Sequence, residues 1–352
     1  MRATLFRGTV LGVLVFTLVL PAGEARAWAQ SKDQQPPPAQ QQPPGGFSIS
    51  VTVPVVNVDI VVTDNNGNFL TGLKKENFRI TEDNAVQQVT NFAPTDAPMT
   101  IVMLLEFSRR GYAIFSYNAV NWAAQFLNTL KQNDWIALET FSMRPNIEVD
   151  FTHDRREVLG GLTQLVFPPF SESNLFDALA DVMDRMKDVK GKKAILVLAS
   201  GQDTFSRLNL DQTMKKIKET DTTIFAVGVG ERFFEMMDAT QNLGPIGQMD
   251  YLQAQNQMKT FAQLTGGRAW FPRFEGEIPA IMQDVAASLR NQYSLGYSPS
   301  NGTLDGKYRK IKVELVAPDG GPLTVNDQKG KKVKFQVYAR QGYTAPKSNV
   351  DN

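Results

Sequence analysis

The feature that most constrains the fold is an unbroken apolar run that stops at a polar loop. Residues 100–105 carry no charge, and the five positions that follow are Glu106, Phe107, Ser108, Arg109 and Arg110. Such a run is typical of a strand buried on both faces in the middle of a parallel sheet. In open α/β sheets, ligands bind at the loops that leave the carboxyl ends of the strands. The sequence therefore predicts an α/β domain whose binding site begins at Glu106.

Strands and helices alternate from residue 99 to about residue 291, which predicts a doubly wound, mostly parallel sheet. Further apolar runs predict strands at residues 135–141, 194–198, 224–229 and 268–271, with an edge strand at 147–151. Apolar residues at helical spacing predict helices at residues 120–130, 175–189, 252–264 and 278–289. The segment 231–250 is predicted to be irregular. Met249 and Met258, in and after it, are interpreted as packing residues, with a partner surface as the alternative.

The segments on either side of this α/β region show the period-two alternation of strands. Val56, Val58 and Ile60 alternate with polar residues near the start, and Tyr293, Leu295 and others do so near the end. Neither segment can cover its apolar face alone, so we expect the two to close into one β-sandwich of about seven strands. The predicted fold is an α/β domain inserted in a β-sandwich that the N- and C-terminal segments form.

The N-terminus has the pattern of a secretory signal peptide. Arg2 and Arg7 precede an apolar run at residues 10–20, and small residues follow up to Ala29. The run is shorter than the ~20 residues that span a bilayer, although an uncleaved anchor is the alternative. We therefore expect an extracytoplasmic protein, periplasmic or secreted, with no stable membrane span after cleavage.

The chain is thus divided into six pieces. A Gln- and Pro-rich composition predicts a disordered linker after the signal peptide. The predicted pieces are the signal peptide (1–29), the linker (30–46), the first part of the sandwich (47–97), the α/β domain (98–291), the second part of the sandwich (292–345) and a tail (346–352).

The composition of the chain excludes several kinds of site. The chain has no Cys and one His, His153, so a disulfide, a zinc–thiolate site and a Cys nucleophile are excluded. The net charge is +1, which gives no overall field for nucleic acid. No nucleophile motif accompanies His153. A protein partner is therefore expected, and a hydrolase is only a remote alternative.

Three loops of the α/β region resemble the metal-binding loops of von Willebrand factor type A domains. In that family the first loop reads Asp-x-Ser-x-Ser, and here it begins at Glu106. The sequence Ser-Asn-Leu-Phe-Asp-Ala from Ser173 resembles the second loop, and Ala-Ser-Gly-Gln-Asp from Ala199 resembles the third, usually Thr-Asp-Gly. The flanks resemble bacterial VWFA-related domain proteins. The resemblance implies a Rossmann-like fold and a ligand site made of Glu106, Ser108, Arg109, Arg110, Ser173 and Ser200.

The same comparison argues against a bound metal. The family site offers two Asp carboxylates and three hydroxyls to Mg²⁺ or Mn²⁺, whereas only Glu106 supplies a carboxylate here. Arg110 adds a guanidinium, which cannot ligate a cation. At ~5 Å and an effective dielectric of ~20, it would oppose a divalent ion by roughly 6 to 7 kcal/mol. We expect no metal and no other cofactor.

Two interpretations of the altered site remain open. Arg110 or Arg109 occupies the cation position, where it pairs with Glu106 or binds an acidic group of a partner. Alternatively, the site has decayed and is kept for loop packing. The predicted function is a secreted, non-enzymatic protein-binding or scaffolding module with a degenerate, metal-free adhesion site. The alternative is an adhesion domain that depends on Mg²⁺ or Mn²⁺ and keeps a weak site through Glu106, Ser108 and Ser173.

Overall fold

The computed structural model describes residues 55–94, 97–109, 119–165, 170–229, 245–326 and 332–347. All of them belong to one structural unit, residues 52–352. The predicted signal peptide, the predicted linker and Arg110 lie outside the described residues. The predicted boundaries between the pieces of the chain stay predictions.

Four strands precede the α/β region and belong to two different sheets. They are β1 (Val56–Asp64), β2 (Phe78–Glu82), β3 (Ala85–Gln87) and β4 (Val89–Pro94). The alternation of β1 buries Val58 and Ile60 completely, while Asn57 is exposed. The period-two pattern thus puts one face of β1 in a core.

A six-stranded sheet forms the centre of the α/β region. Its strands are β5 (Met99–Glu106), β6 (Trp135–Phe141), β7 (Pro145–Thr152), β8 (Lys192–Ala199), β9 (Thr223–Gly228) and β10 (Ala269–Trp270). The order is β10-β9-β8-β5-β6-β7, and only the edge strand β7 runs antiparallel to its neighbour. Every residue of β5 is buried. The predicted doubly wound, mostly parallel sheet is confirmed.

Helices cover both faces of this sheet. They are α1 (Ala119–Thr129), α2 (Arg155–Gln164), α3 (Leu175–Met186), α4 (Leu210–Glu219), α5 (Pro245–Thr265) and α6 (Ile278–Arg290). Ile101 and Met103 of β5 pack with α1 and α6, whereas Val102 and Leu104 pack with α3 and α5. Successive residues of β5 therefore enter two separate cores, which explains its wholly apolar sequence.

The structure adds to the predicted helices and corrects some of them. The helices α2 and α4 were not predicted; each is ten residues long and buries only two side chains. Residues 245–250 are helical, so the end of the predicted irregular segment is wrong. The helix α3 ends at Met186, not at residue 189. Met258 is buried as expected, whereas Met249 is 70% exposed, which contradicts its interpretation as a packing residue.

The C-terminal strands complete the two sheets begun by β1 to β4. They are β11 (Gln292–Tyr297), β12 (Tyr308–Leu315), β13 (Val325–Asn326), β14 (Lys332–Val333), β15 (Phe335–Ala339) and β16 (Gly342–Thr344). One sheet has the order β15-β1-β11-β4 and the other β16-β12-β2-β3, while β13 and β14 form a separate ribbon. Strands from both ends of the chain share one hydrophobic core. The predicted shared sandwich is confirmed, with eight strands in its two main sheets.

The sandwich meets the α/β domain at the amino ends of the parallel strands. Lys192, which starts β8, lies 3.4 Å from Asp59 of β1 and donates a 2.6 Å hydrogen bond to Gln292 of β11. Arg340, after β15, donates to the carbonyl of Thr220, just before β9, at 3.1 Å. The carboxyl ends of the parallel strands consequently lie on the edge that faces away from the sandwich.

Candidate functional site

Glu106 ends β5 at this carboxyl-end edge and is 1% exposed. Its Oε1 accepts a 2.6 Å hydrogen bond from the Ser108 hydroxyl. Its Oε2 accepts one of 2.6 Å from the backbone N–H of Ser200, which follows β8. Both carboxylate oxygens therefore have protein donors, and the side chain joins two neighbouring strand ends.

Ser173 holds the second loop of the site against the third. Its backbone N–H donates to the Thr204 hydroxyl at 2.9 Å, and its carbonyl accepts from the N–H groups of Thr204 and Phe205 at 2.7 and 3.0 Å. The side chains of Ser173 and Asn174 are buried, and within the described part of the chain Ser173 Oγ and Asn174 Oδ1 have no hydrogen-bond partner. An unpaired buried polar atom is costly, so these two atoms leave hydrogen-bonding capacity unused within the described structure.

Of the two predicted arginines, Arg109 lies within the described residues. Arg109 is exposed, and its backbone N–H donates to the carbonyl of Phe170 at 2.9 Å. Arg110 lies outside the described residues. The structure thus brings Glu106, Ser108 and Ser200 into direct contact, while Ser173 contacts the loop that follows Ser200. We call these four residues the Glu106 site; the predicted role of a guanidinium there stays a prediction.

Two residues that shape this edge were not singled out from the sequence. Gly201 has a φ of +83°, and a Cβ there would lie 2.9 Å from the carbonyl oxygen of Ala254 on α5. Asp203 Oδ1 accepts hydrogen bonds from the Phe176 N–H at 3.1 Å and from the Ser206 hydroxyl at 2.6 Å. Burial raises the pKa of the Asp203 carboxyl. A capping residue usually adjoins its helix in sequence, whereas Asp203 reaches the start of α3 from a separate loop.

The residues present do not fit the donor set of a divalent cation. Mg²⁺ takes oxygen ligands in octahedral geometry, including one or two carboxylates. Glu106 is the one carboxylate of the Glu106 site, and the serines at the other positions are neutral. Both of its oxygens already accept short hydrogen bonds. Across the described ranges, no group of three or more His, Asp or Glu side chains is arranged to hold a metal.

Comparison with known proteins agrees with this architecture. The sequence profile of the von Willebrand factor type A domain matches residues 100–261. No curated protein matches the chain.

Several solved structures are similar. A serine-substituted variant of an aerotolerance-related membrane protein from Bacteroides fragilis matches with a TM-score of 0.41 at 12% identity, covering 54% of this chain and 98% of that one. The PilB minor pilin of Streptococcus sanguinis matches with a TM-score of 0.38 at 10% identity, covering 56% and 63%. A von Willebrand factor type A protein from Catenulispora acidiphila matches with a TM-score of 0.42 at 9% identity, covering 87% and 77%. The profile match, the doubly wound sheet and three loops that resemble those of the family show that this chain contains a von Willebrand factor type A domain over residues 100–261.

Proposed function

We propose that this protein is an extracytoplasmic, non-enzymatic module that binds a partner protein at the carboxyl-end edge of its parallel sheet without a metal ion. The observation that carries the proposal is a set of exposed apolar side chains around the Glu106 site. These side chains, which we call the apolar rim, are Phe170 (45% exposed), Phe205 (48%), Met249 (70%) and Leu252 (56%). Exposed apolar side chains that lie close together are typical of protein-binding surfaces.

The contacts of the rim residues connect them to the site. Phe205 donates its N–H to the Ser173 carbonyl, and the Phe170 carbonyl accepts from Arg109. Met249 and Leu252 lie on α5, the helix that packs against Gly201 through Ala254 and Gln257. Aromatic and methionine side chains are enriched at interfaces, where they bury large apolar areas. A partner that covers the rim would therefore also cover the Glu106 site.

The position of the sandwich supports a role in which the carboxyl-end edge of the parallel sheet faces a partner. The sandwich contacts the amino ends of β8 and β9, so among the described residues it does not cover the opposite edge. The family match supports an interaction role as well, since type A domains are generally adhesion or interaction modules. The signal-peptide pattern at residues 1–29 and the Gln- and Pro-rich residues 30–46 support a place outside the cytoplasm. Within the described ranges, no helix is long enough and apolar enough to cross a membrane.

The surroundings of His153 support a non-enzymatic role. Its Nδ1 lies 2.9 Å from the carbonyl oxygen of Asp134, and its ring packs 3.7 Å from that of Trp135. Both contacts are at the start of β6, on the edge opposite Glu106. This histidine is therefore placed to connect a loop to a strand and is remote from the candidate site.

One observation favours the second candidate function, a weak metal-dependent adhesion site. Ser173 Oγ is a buried hydroxyl oxygen without a partner in the described structure, and hydroxyl oxygens suit a hard cation. Glu106, Ser108 and Ser173 would then be the ligands. The single carboxylate makes this the weaker candidate.

Capture of the partner by matched variants tests the proposal. Tagged protein is incubated with an extracytoplasmic extract in EDTA, and bound proteins are cross-linked and identified. We expect the wild type and the control Ile147→Ser, an exposed residue on the edge strand β7, to capture the same protein. The double change Phe205→Ser with Leu252→Ser should abolish capture. Capture that survives this double change, or that requires added Mg²⁺, would contradict the proposal.

A further inference from the structure

A pocket opens beside the Glu106 site, between the start of α3, the loop after β8 and the first half of α5. Its volume is about 340 Å³, which is near the lower limit for small-ligand sites. We call it the Asp203 pocket. Its polar lining residues are Gln202, Asp203, Thr204, Asp250, Gln253 and Gln257.

The charged side chains that line this pocket are acidic. Asp203 and Asp250 both line it, and none of its described lining residues is a lysine or an arginine. The hydrogen bonds that Asp203 accepts from the Phe176 N–H and the Ser206 hydroxyl both reach the single oxygen Oδ1. Burial raises the pKa of Asp203, because desolvation penalises its charged form. A cation in the pocket would offset that penalty.

The hydrogen-bonding groups of the pocket favour a guanidinium over an ammonium group. Two carboxylates and three glutamine amides line a space that is large enough to hold one long side chain. A guanidinium presents five N–H donors in a plane and can satisfy several such acceptors together, whereas an ammonium presents three donors at one point.

The apolar rim adjoins this pocket in the chain. Met249 precedes Asp250, Leu252 precedes Gln253, and Phe205 follows Thr204, which also lines the pocket. A partner segment that placed a basic side chain in the pocket would therefore bring its neighbouring residues onto the rim. Apolar and basic residues close together in one segment would complement both surfaces.

From this complementarity, and resting on the proposed function, we infer that the Asp203 pocket receives an arginine side chain of the partner protein. The arginine fixes the orientation of the partner, and the rim supplies the apolar contact area.

The test uses Nα-acetyl-arginine methylamide as the probe and the full chain as the receptor. Titrations are followed by the NMR signals of the side-chain amides of Gln202 and Gln253. We expect saturable shifts, and binding at least about fivefold weaker for the neutral citrulline analogue, which lacks the charge-assisted hydrogen bonds. The change Asp250→Asn should weaken binding of the arginine probe by about the same factor. Asp211→Asn, an exposed residue on α4, is the matched control and should leave binding unchanged.

Asp250 is exposed, so its replacement keeps the test independent of folding, whereas Asp203→Asn also removes charge from a loop-fixing contact. Equal binding of the citrulline analogue, equal binding of the lysine analogue, or unchanged binding in Asp250→Asn would overturn the assignment. The two proposals fail separately. Rim-dependent capture without probe binding would reject the arginine pocket alone, and probe binding without rim-dependent capture would reject the proposed function alone.

Discussion

Glu106 and Ser200 are joined by a 2.6 Å hydrogen bond from the Ser200 backbone N–H to Oε2 of the carboxylate. The bond connects the end of β5 to the end of β8, its neighbour in the sheet. In the family pattern an Asp side chain ends the third loop at the position of Ser200. Here the backbone of Ser200 donates to the side chain on the first loop, so the Glu106 oxygens find their hydrogen-bond donors within the protein.

Removal of the Glu106 carboxylate should lower stability. Glu106→Ala leaves the buried Ser108 hydroxyl and the Ser200 N–H without this acceptor, so we expect a loss of about 3 kcal/mol in the free energy of unfolding. Glu106→Gln keeps one acceptor oxygen and should cost less. The exposed Glu157→Ala is the control and should change stability by less than about 0.5 kcal/mol. Urea denaturation measures all three, and an alanine variant as stable as the wild type would contradict the role given to these hydrogen bonds.

Gly201 should tolerate no side chain. Its φ of +83° is unfavourable for other residues, and a Cβ would lie 2.9 Å from the Ala254 carbonyl oxygen and 2.7 Å from Met258 Sδ. We expect Gly201→Ala to destabilise by about 1 to 3 kcal/mol. Gly160→Ala is the matched control, since nothing lies within 4 Å of the added Cβ and the residue is inside α2. That change should stabilise by about 0.5 to 1 kcal/mol. Equal thermal shifts of the two variants would disprove the packing argument.

Glu139 should make stability depend on pH. Burial raises the pKa of its carboxyl from 4.5 to about 7, although the Arg185 guanidinium with which it pairs opposes the rise. Between these values the folded protein keeps a proton that the unfolded chain has lost, so the free energy of unfolding falls as pH rises. The contribution is complete below pH 4.5 and is lost as pH passes 7, about 3 kcal/mol at most.

Comparison with Glu139→Gln isolates this contribution, because the remaining groups are shared. Denaturation curves recorded from pH 4.5 to 8 should show the wild type losing stability relative to the variant. Parallel dependence of the two proteins on pH would mean that Glu139 titrates near its ordinary pKa.

Much of the fold was predictable, because strong patterns have simple causes. A strand buried on both faces needs a wholly apolar sequence, as in β5, and a sandwich strand needs alternation, as in β1. The helices α2 and α4 were missed although α4 has apolar residues at helical spacing, at Leu210, Met214 and Ile217. Of the residues of α2 only Val158 and Leu162 are buried, and of those of α4 only Thr213 and Ile217. A ten-residue helix gives only a short pattern, and its stability comes mainly from tertiary packing.

The candidate site was predictable in part for a different reason. The carboxyl ends of parallel strands meet at one edge, so the proximity of Glu106 and Ser200 followed from the fold and the family pattern. Their hydrogen bond did not, because the donor is a backbone group whose direction depends on the loop. The apolar rim was also missed, since Phe170, Phe205 and Leu252 cannot be told from core residues by composition. Exposure is a property of three-dimensional packing.

The most direct test of a metal-free Glu106 site is thermal unfolding with and without a divalent cation. The wild type should melt at the same temperature in EDTA and in millimolar Mg²⁺ or Mn²⁺. The triple change Glu106→Asp, Arg110→Ser and Ser200→Asp restores two short carboxylates and a hydroxyl and removes a guanidinium, so it should bind the metal. At ~100 times Kd, binding would add about 2.7 kcal/mol to the stability of the variant. A metal-dependent rise in the melting temperature of the wild type would contradict the account, and a well-folded variant that shows no rise would refute the residue assignments on which it rests.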